Sequence, residues 1–430
     1  MRGKRTTGDH AAKIGMTILQ FLLKDYHPRD FSIRLWDGSV WNTDKDEPRR
    51  FSLVIHHPEA IRTMLTRPGE RSLGEAYIYN DFDIEGSLEH AFPIAEHLLR
   101  LRLRIADRLR LATLLLRLPS TKSPRSGRQA LKPRGDLHSI ERDREVVTYH
   151  YDTSSDFFAL YLDKQMVYSS AYFTSPDEDL GSAQERKLDY ICRKLRLRPG
   201  ERFLDIGCGW GALIIHATQQ YGVFSLGITL SEPQAKLANE RIQKRGLGDR
   251  CRVEVRDYRQ IDSPSSFDKM ASIGMVEHVG ERKLPEYFNQ AWRLLRPGGV
   301  FLNHGIAYRR EESTHRHRSF SQAYVFPDGD PVSIDICTRI AEDAGFELRD
   351  VESLREHYAL TLRHWVRRLE SHHAEAVRAT DEATYRVWRL FMSASAHAFE
   401  TGRYSIYQSL LSKPNRGRSE LPLTRADWYR

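Results

Sequence analysis

Short apolar runs alternate with longer amphipathic segments in the middle of the chain. The apolar runs have the length of buried strands and cover residues 202–206, 223–228, 252–256, 267–273 and 300–304. The segments between them have helical periodicity, and Ser231 is placed to cap a helix over residues 231–245. This alternation predicts a doubly wound α/β sheet that binds ligands at the carboxyl ends of its strands. After about residue 345 the pattern predicts helices alone.

The first part of the chain has a different pattern, which predicts a smaller α+β domain. Strand-like runs at residues 31–35 and 51–55 are followed by helical segments. Residues 119–136 are rich in Pro, Gly, Ser and positive charge, which is typical of a linker. We therefore expect an N-terminal domain at 1–118, a basic linker at 119–145 and a second domain at 146–430.

Charge is distributed unevenly along the 430-residue chain, whose formal net charge is +8. Between residues 98 and 134 there are eleven Arg or Lys residues and one acid, Asp107. As a helix, residues 98–118 would carry arginines around an apolar side that consists of Leu101, Ile105, Leu109, Ala112 and Leu116. This pattern suits an anionic membrane surface, although a packed helix with a solvated basic rim fits it equally well. No nucleic-acid-reading motif accompanies the basic residues, so we expect no nucleic-acid partner.

The composition also bears on whether the chain spans a membrane, is secreted, binds a metal or contains disulfides. No apolar run approaches the roughly 18 residues that span a membrane, and the first residues lack the cleavage site of a signal peptide. The four cysteines lack metal-ligand spacing and predict neither a metal site nor a disulfide framework. We expect a cytoplasmic protein that associates peripherally with the inner face of the membrane.

A glycine-rich turn after the first of the apolar runs is the most informative motif. Residues 203–211 read Phe-Leu-Asp-Ile-Gly-Cys-Gly-Trp-Gly, so Gly207, Gly209 and Gly211 form G-x-G-x-G. This spacing differs from the G-x-G-x-x-G of dinucleotide-binding folds. Asp205 would repel a pyrophosphate but suits a cationic ligand with an amino group, such as S-adenosylmethionine (SAM). The alternative is an ordinary tight turn between a strand and a helix.

Three later segments lie at the predicted carboxyl ends of successive strands. The first segment offers neutral hydrogen-bonding groups to a nucleoside, and the second offers an acceptor and an aromatic ring. Their candidate cofactor contacts are Thr229, Leu230, Gln234, Asp257 and Tyr258. The third segment, 272–280, places the titratable groups of Glu277 and His278 at a turn.

Six motifs occur in a characteristic order along the chain. They cover residues 150–158, 166–173, 204–211, 273–280, 324–329 and 357–365. In this order the motifs closely resemble the cyclopropane-fatty-acyl-phospholipid synthase family, which includes the mycolic acid cyclopropane synthases. The resemblance extends over nearly the whole chain, and residues 73–77 resemble the accessory lipid-associated domain of the phospholipid-acting branch.

The resemblance implies a fold and a cofactor. The expected catalytic domain is a Rossmann-like class I SAM-dependent methyltransferase, with a mostly parallel seven-stranded sheet and helical additions. SAM is the expected cofactor, and Tyr168 and Ser169 are expected to contact it.

The resemblance also implies a catalytic site in which a bound bicarbonate takes up a proton. The matching positions are Glu277, His304, Ile306 (through its carbonyl), Tyr358 and, where the family has a Cys, Ser170. A hydroxyl can still hydrogen-bond an anion, so the change to serine leaves bicarbonate binding open. Gly305 is a second departure, because relatives commonly read His-Thr-Ile at 304–306.

Enzymes of this family transfer the SAM methyl group to a carbon of a cis double bond in a lipid acyl chain. The transfer leaves a carbocation, which aromatic faces stabilise. The candidate rings are Tyr168, Tyr172, Phe173 and Tyr358. Loss of a proton from the delivered methyl group closes a cyclopropane ring, whereas loss from a neighbouring carbon gives a branched chain.

We expect the chain to form cyclopropane fatty acids from unsaturated acyl chains of membrane phospholipids. Three alternatives stay open: a methyl- or methylene-branched product, methylation of a small-molecule amine, and a non-catalytic protein that binds lipid or SAM. A homodimer and a reductase that finishes a methylene intermediate are further candidate partners.

Overall fold

In the computed structural model of this chain, most of the predicted apolar runs fold as strands and the amphipathic segments as helices. The structure describes residues 3–44, 47–66, 68–120, 125–151, 153–309 and 319–429. The helices are α1 (Gly3–Leu22), α2 (Pro58–Thr66), α3 (Glu70–Ile78), α4 (Phe92–Arg100), α5 (Ile105–Leu116), α6 (Ile140–Tyr151), α7 (Ser155–Ala159), α8 (Leu180–Leu195), α9 (Ala212–Tyr221), α10 (Glu232–Lys244), α11 (Leu284–Leu294), α12 (Phe320–Tyr324), α13 (Ile334–Asp343), α14 (Arg355–Ser371), α15 (His373–Ala379) and α16 (Glu382–Glu400). The strands are β1 (Phe31–Arg34), β2 (Val40–Trp41), β3 (Phe51–Ile55), β4 (Phe82–Gly86), β5 (Arg202–Ile206), β6 (Phe224–Thr229), β7 (Cys251–Val255), β8 (Phe267–Ile273), β9 (Leu295–Tyr308), β10 (Glu347–Ser353) and β11 (Tyr404–Ser412).

These elements belong to two compact units. The first comprises the described parts of Met1–Ala130, Arg318–Val325 and Asp381–His397, and the second comprises the described remainder. The chain therefore returns twice to the first unit, a long-range arrangement that no local sequence pattern indicates. The domain boundaries expected above stay a prediction, and linker residues 121–124 lie outside the described residues.

The second unit contains a seven-stranded sheet with the order β10-β11-β9-β8-β5-β6-β7. Strands β5 to β9 pair in parallel, and β11 pairs antiparallel with both β9 and β10. The five strands predicted from apolar runs are β5 to β9, so the mostly parallel α/β sheet is confirmed. Ser231 caps α10 as predicted, because its Oγ accepts a hydrogen bond from the backbone N–H of Gln234 at 3.4 Å.

The prediction of helices alone after residue 345 is wrong, because β10 and β11 complete the sheet there. Strand β10 lies at the sheet edge and is only partly buried, so its sequence mixes charged and apolar residues. Strand β11 is mostly buried between β9 and β10, but Gln408 and Ser409 interrupt its apolar pattern. Neither strand has the continuous apolar run by which the parallel strands were predicted.

Two apolar cores cover the opposite faces of this sheet, since consecutive residues of a strand point to opposite sides. Phe203 of β5 packs in a cluster with Ile191 of α8 and Ala238 of α10. Its neighbour Leu204 packs in a second cluster with Phe288 of α11. These layers hold the carboxyl ends of β5, β6 and β8 in place, which is where the predicted site lies.

The first unit contains the smaller α+β fold predicted for the N-terminal region. Its four strands have the order β2-β1-β3-β4, and only β1 and β3 pair in parallel. The continuous helix considered for residues 98–118 is interrupted, because α4 ends at Arg100 and α5 begins at Ile105. The intervening Leu-Arg-Leu-Arg alternates with a period of two, which favours extended backbone. Within the described part of the chain, no helix is long and apolar enough to cross a membrane.

Candidate active site

A cavity opens at the carboxyl ends of β5, β6 and β7 in the second unit. All but one of the predicted cofactor contacts line it, namely Tyr168, Ser169, Asp205, Gly207, Gly209, Thr229, Leu230, Gln234, Asp257 and Tyr258. Gly211 does not line the cavity. A Cβ atom at Gly211 would come within 3.1 Å of Ala238 Cβ, so a glycine here lets α9 and α10 pack closely.

The turn after β5 brings bare backbone to the cavity. Gly207 and Gly209 have φ angles of 81° and 53°, in the left-handed region that favours glycine. The N–H groups of Gly207 and Cys208 both donate to the carbonyl of Ile228, at 3.0 and 2.9 Å. These bonds fix the turn against β6, and α9 begins directly after it.

Asp205, the penultimate residue of β5, carries a buried carboxyl group, and its Oδ1 has no hydrogen-bond partner among the described residues. Burial raises the pKa of Asp205 to about 7, although the nearby Lys187 ammonium opposes the shift. Lys187 is itself buried, which lowers its pKa to about 8, and its Nζ donates to Ser169 Oγ at 2.8 Å. A ligand amino group would pair with Asp205 and favour its charged form.

The end of β6 presents neutral groups to the cavity. Thr229 Oγ1 accepts the backbone N–H of Ser231 at 3.2 Å and donates to Gln234 Oε1 at 2.8 Å. The Gln234 side chain is thereby held at the cavity wall without a charged neighbour on this strand end. Such groups can hydrogen-bond ribose hydroxyls.

Asp257 is held by an arginine that the sequence analysis did not single out. Arg259 donates to the Asp257 carboxylate through Nε at 2.8 Å and Nη2 at 2.7 Å. The same guanidinium donates to the carbonyl of His138 at 2.9 Å and to Asp143 Oδ2 at 2.8 Å. Hydrogen bonding to Asp257 raises the pKa of Arg259, so its guanidinium stays charged beside the Tyr258 ring.

A second, buried group of residues surrounds Glu277, in a short 3-10 helix after β8. Its Oε2 has no partner among the described residues. Burial raises the pKa of Glu277 to about 7, although the backbone N–H groups of Ile306 and of Glu277 itself oppose the shift. Burial also raises the pKa of Tyr151 and of Tyr358, and the Glu277 charge adds to both shifts.

Aromatic rings connect Glu277 to the cavity. Tyr168 lines the cavity, and its ring centroid lies 5.2 Å from that of Trp365, which in turn lies 6.0 Å from that of Tyr358. Burial raises the pKa of Tyr168, and Tyr358 and Tyr151 contribute to the shift. We call Tyr151, Tyr168, Tyr358 and Trp365 the aromatic cluster.

The other two predicted rings contact different partners. Tyr172 stacks on His357 with ring centroids 4.7 Å apart, and Phe173 stacks on His364 at 5.5 Å. Tyr172 also donates to Glu352 at 3.4 Å. The structure therefore brings Tyr168 and Tyr358 together but places Tyr172 and Phe173 against the histidines of α14.

His304 lies on β9, and its Nδ1 is 3.2 Å from Nε2 of Gln408 on the neighbouring β11. Burial lowers the pKa of His304 well below its ordinary value, and Lys187 and Lys194 add to this effect, so the ring is neutral. With the Gln408 amide donating to Nδ1, the ring proton lies on Nε2. Nε2 has no hydrogen-bond partner among the described residues, and no hydrogen bond there joins His304 to Glu277.

Ser170, at the position of the family's cysteine, is fully buried. Its Oγ donates to the carbonyl of Ala171 at 3.1 Å, and the Ala171 N–H donates to Thr361 Oγ1 at 3.0 Å. These bonds fasten the segment to α14. None of the five predicted catalytic residues lines the cavity itself, which reaches their neighbours Ser169, Met275 and His278 instead.

Gly305 explains how β9 and the Glu277 turn approach each other. A Cβ atom at Gly305 would lie 2.1 Å from Val276 Cγ1 and 3.3 Å from Glu277 Oε2. A larger residue would therefore require the turn to move. The departure at this position is matched by Val276 filling the space.

Residues 138–409 match the mycolic acid cyclopropane synthetase family, and residues 18–97 match a domain of unknown function (DUF7884). The first match covers more than half of the chain. This protein belongs to the mycolic acid cyclopropane synthetase family.

Proteins similar to this chain include fatty acid methyltransferases and cyclopropane synthases. A probable fatty acid methyltransferase of Pseudomonas putida is 37% identical, over 93% of this chain and 96% of its own. The tuberculostearic acid methyltransferase UfaA1 of Mycobacterium tuberculosis is 32% identical, over 86% of this chain and 85% of its own. The mycolic acid cyclopropane synthase CmaA1, solved with SAH and CTAB, is 33% identical with a TM-score of 0.59, over 62% of this chain and 97% of its own.

The mycolic acid cyclopropane synthetase family consists of SAM-dependent lipid methyltransferases, so this chain is an enzyme and SAM is its cofactor. The cavity residues fit SAM. Asp205 offers an unpartnered oxygen to the amino group, and the turn at Gly207 and Gly209 leaves room for the ligand. The assignment of each cavity residue to a part of SAM stays a prediction.

Three further residues line the cavity but were not predicted from the sequence. Tyr151 lies within one of the six matched motifs, so its position offered a signal. Lys187 is a buried lysine in an otherwise ordinary amphipathic helix, and Arg259 pairs with Asp143, far away in sequence. Such pairings depend on tertiary contacts, so spacing alone does not reveal them.

Proposed function

We propose that the enzyme methylates a cis double bond in an unsaturated acyl chain of a membrane phospholipid and closes a cyclopropane ring. The observation that carries this proposal is the aromatic cluster, which lines the cavity through Tyr151 and Tyr168 and lies close enough to the buried carboxyl group of Glu277 for its charge to raise the pKa of Tyr151 and Tyr358. Ring faces and a carboxylate stabilise a carbocation. Methylation of an amine forms an ammonium ion rather than a carbocation, so the product of the reaction distinguishes the two functions.

The buried side chains of the site exclude water and orient the acyl chain. SAM supplies an electrophilic methyl group on a sulfonium ion. An alkene is a weak nucleophile, so its double bond must be held close to that methyl group and away from water. Tyr168 lines the cavity, and Trp365 connects its ring to that of Tyr358, so the acyl chain would lie against these rings.

Glu277 is the proposed site of proton uptake. The alkene π electrons form the new C–C bond, the S–C electron pair stays on sulfur, and the positive charge develops on the second alkene carbon. Removal of a proton from the delivered methyl group frees the C–H electron pair to close the ring. Glu277 has an unpartnered Oε2 and a pKa of about 7, so it is partly ionised at neutral pH and able to accept a proton.

Bicarbonate also fits the residues present. Glu277 Oε2 is an unpartnered acceptor and His304 Nε2–H an unpartnered donor, as a bicarbonate ion requires. The Ser170 hydroxyl donates to a backbone carbonyl and would have to rotate to reach an anion. Bound there, bicarbonate would supply a base.

The choice of a phospholipid as substrate is supported by the relatives that match along nearly the whole chain. The probable fatty acid methyltransferase of Pseudomonas putida matches along 93% of this chain, whereas the mycolic acid synthase CmaA1 covers 62%. We infer that the N-terminal region is an accessory domain for ordinary membrane lipids, and that the enzyme works peripherally at the inner membrane face.

A branched product is the second candidate. The similarity to a tuberculostearic acid methyltransferase favours it, because that name denotes methylation of a fatty acid. Gly305 departs from the family pattern next to the proposed proton acceptor, and Ser170 is a further departure. A branched product would need a reductase partner if it formed as a methylene intermediate.

Expression in cells fed methyl-labelled methionine tests the proposal. We expect a labelled fatty acid that is one CH₂ heavier and contains a ring by mass spectrometry, and much less of it from cells that express Glu277→Gln. A labelled branched acid would establish the second candidate. Labelled small amines without labelled lipid would overturn both.

A further inference from the structure

One face of α5, in the first unit, exposes a row of large apolar side chains. Ile105, Leu109 and Leu116 are 78%, 65% and 71% exposed, and Ala112 is exposed between them. Their spacing of four, three and four residues places them along one side of a helix. We call these four residues the exposed α5 face.

The opposite side of α5 anchors the helix to the rest of the first unit. Leu115 and Leu118 are 8% and 2% exposed, and α5 packs on α1 and α2. Arg62 of α2 donates to the carbonyl of Leu118 at 2.7 Å. The helix is thus held by its own apolar side, and no described residue buries the exposed α5 face.

Arginines border this face on both sides. Arg108 lies on one side, Arg110 and Arg117 lie on the other, and all three are exposed. The short loop before α5 adds the exposed Arg102 and Arg104. Six arginines and one acid, the partly buried Asp107, lie between residues 100 and 117.

An apolar row flanked by cations matches the surface of an anionic bilayer. The arginines would lie at the headgroup phosphates while the apolar side chains enter the upper acyl region. A nucleic acid would also attract the arginines, but it gives no reason to expose Ile105, Leu109 and Leu116 to solvent. Exposed apolar area of this kind usually marks an interaction site.

We propose that the exposed α5 face docks the enzyme on an anionic phospholipid bilayer, with α5 lying in the plane of the headgroups. The choice of a lipid partner rests on the proposed function. Docking itself requires neither SAM nor turnover, so it can be measured independently.

Co-sedimentation with vesicles tests this proposal. The full-length enzyme is mixed with vesicles of phosphatidylglycerol and phosphatidylcholine, or of phosphatidylcholine alone, over a range of salt concentrations. One variant combines Ile105→Gln, Leu109→Gln and Leu116→Gln. A second combines Arg108→Gln, Arg110→Gln and Arg117→Gln. A control combines Lys236→Gln, Lys244→Gln and Arg250→Gln, which removes the same charge from exposed positions of the second unit.

We expect the wild type and the control to bind the anionic vesicles, and both α5 variants to bind roughly tenfold more weakly. The arginine variant should also lose most of the salt dependence. Unchanged binding of both variants would overturn the proposal. The proposal would also be overturned if the variant of Ile105, Leu109 and Leu116 bound vesicles normally but changed from dimer to monomer in light scattering. A second copy of the chain would then cover the exposed α5 face.

Activity separates this proposal from the proposed function. If the α5 variants bind vesicles normally while wild-type enzyme still methylates lipid, only the docking surface is wrong. If vesicles bind through α5 but no lipid is methylated, the docking surface stands and the proposed reaction fails.

Discussion

At the scale of single residues, burial without a partner is what marks the site. Asp205 and Glu277 each keep one carboxylate oxygen unpaired, and His304 keeps an unpaired Nε2, among the described residues. A buried polar atom without a partner costs free energy, which a ligand that pairs with it would recover. The candidates Asp205 and Glu277 were predictable because they lie in short motifs beside strand termini. Arg259 was not, because its role follows from pairing with Asp143 of α6.

Glu277→Gln should lower turnover by roughly tenfold or more, because an amide cannot take up the proton. In the wild type the rate should rise with pH through about 7 and then level, since the ionised form of the raised-pKa carboxyl group is the active one. Initial rates across pH measure both effects. Glu240→Gln, an exposed change on α10, is the control. Wild-type rates for Glu277→Gln, with SAM affinity unchanged, would remove Glu277 from the chemistry.

Asp205→Asn should weaken SAM binding and abolish its pH dependence. The charged form of Asp205 pairs with the ligand, and its pKa is about 7, so wild-type affinity should fall about tenfold per pH unit below 7. Lys187 titrates near pH 8 and is expected to modify the upper part of the profile. Titration calorimetry across pH measures the affinity, with the exposed Asp249→Asn as control. A wild-type profile that stays flat between pH 5 and 7 would contradict the assignment.

At the scale of elements, whether a strand could be predicted from the sequence depended on how its faces are buried. Strands β5, β6, β8 and β9 are parallel and mostly covered on both faces, so their sequences are apolar runs that can be recognised. Strand β10 escaped recognition because it is a partly exposed edge strand that carries charged residues, and β11 because Gln408 and Ser409 serve local contacts. The break between α4 and α5 was also missed. The predicted helix continued across residues 101–104, although their alternation of Leu and Arg has the period of two that favours extended backbone.

The turn between β5 and α9 can be tested as an element. Gly209→Val should abolish SAM binding, because a branched side chain strains a φ of 53° and fills the space at the cavity wall. Gly246→Val is the matched control, since Gly246 has a φ of 66° and open space around it but does not line the cavity. Thermal unfolding and calorimetry report stability and affinity for both. Equal loss of affinity in the two variants would mean that backbone strain alone is responsible.

At the scale of the whole molecule, the chain combines the methyltransferase fold of the second unit with the smaller α+β fold of the first. The seven-stranded sheet places the candidate SAM cavity and the buried Glu277 group in one unit, and the four-stranded unit carries the exposed arginines and leucines of α5. The fold class was predictable from alternation and motifs, because both are local properties. The return of residues 318–325 and 381–397 to the first unit is not local and could not be predicted.

The most direct measurement is a reaction of purified enzyme with SAM that carries a trideuterated methyl group and vesicles of a cis-monounsaturated phospholipid. We expect a cyclopropane fatty acid in which the ring carbon has lost one deuterium of the delivered methyl group, and roughly tenfold less of it, or lower, from Glu277→Gln. Formation of the SAM by-product S-adenosylhomocysteine without deuterium in any acyl chain would overturn the proposed methylation of lipid.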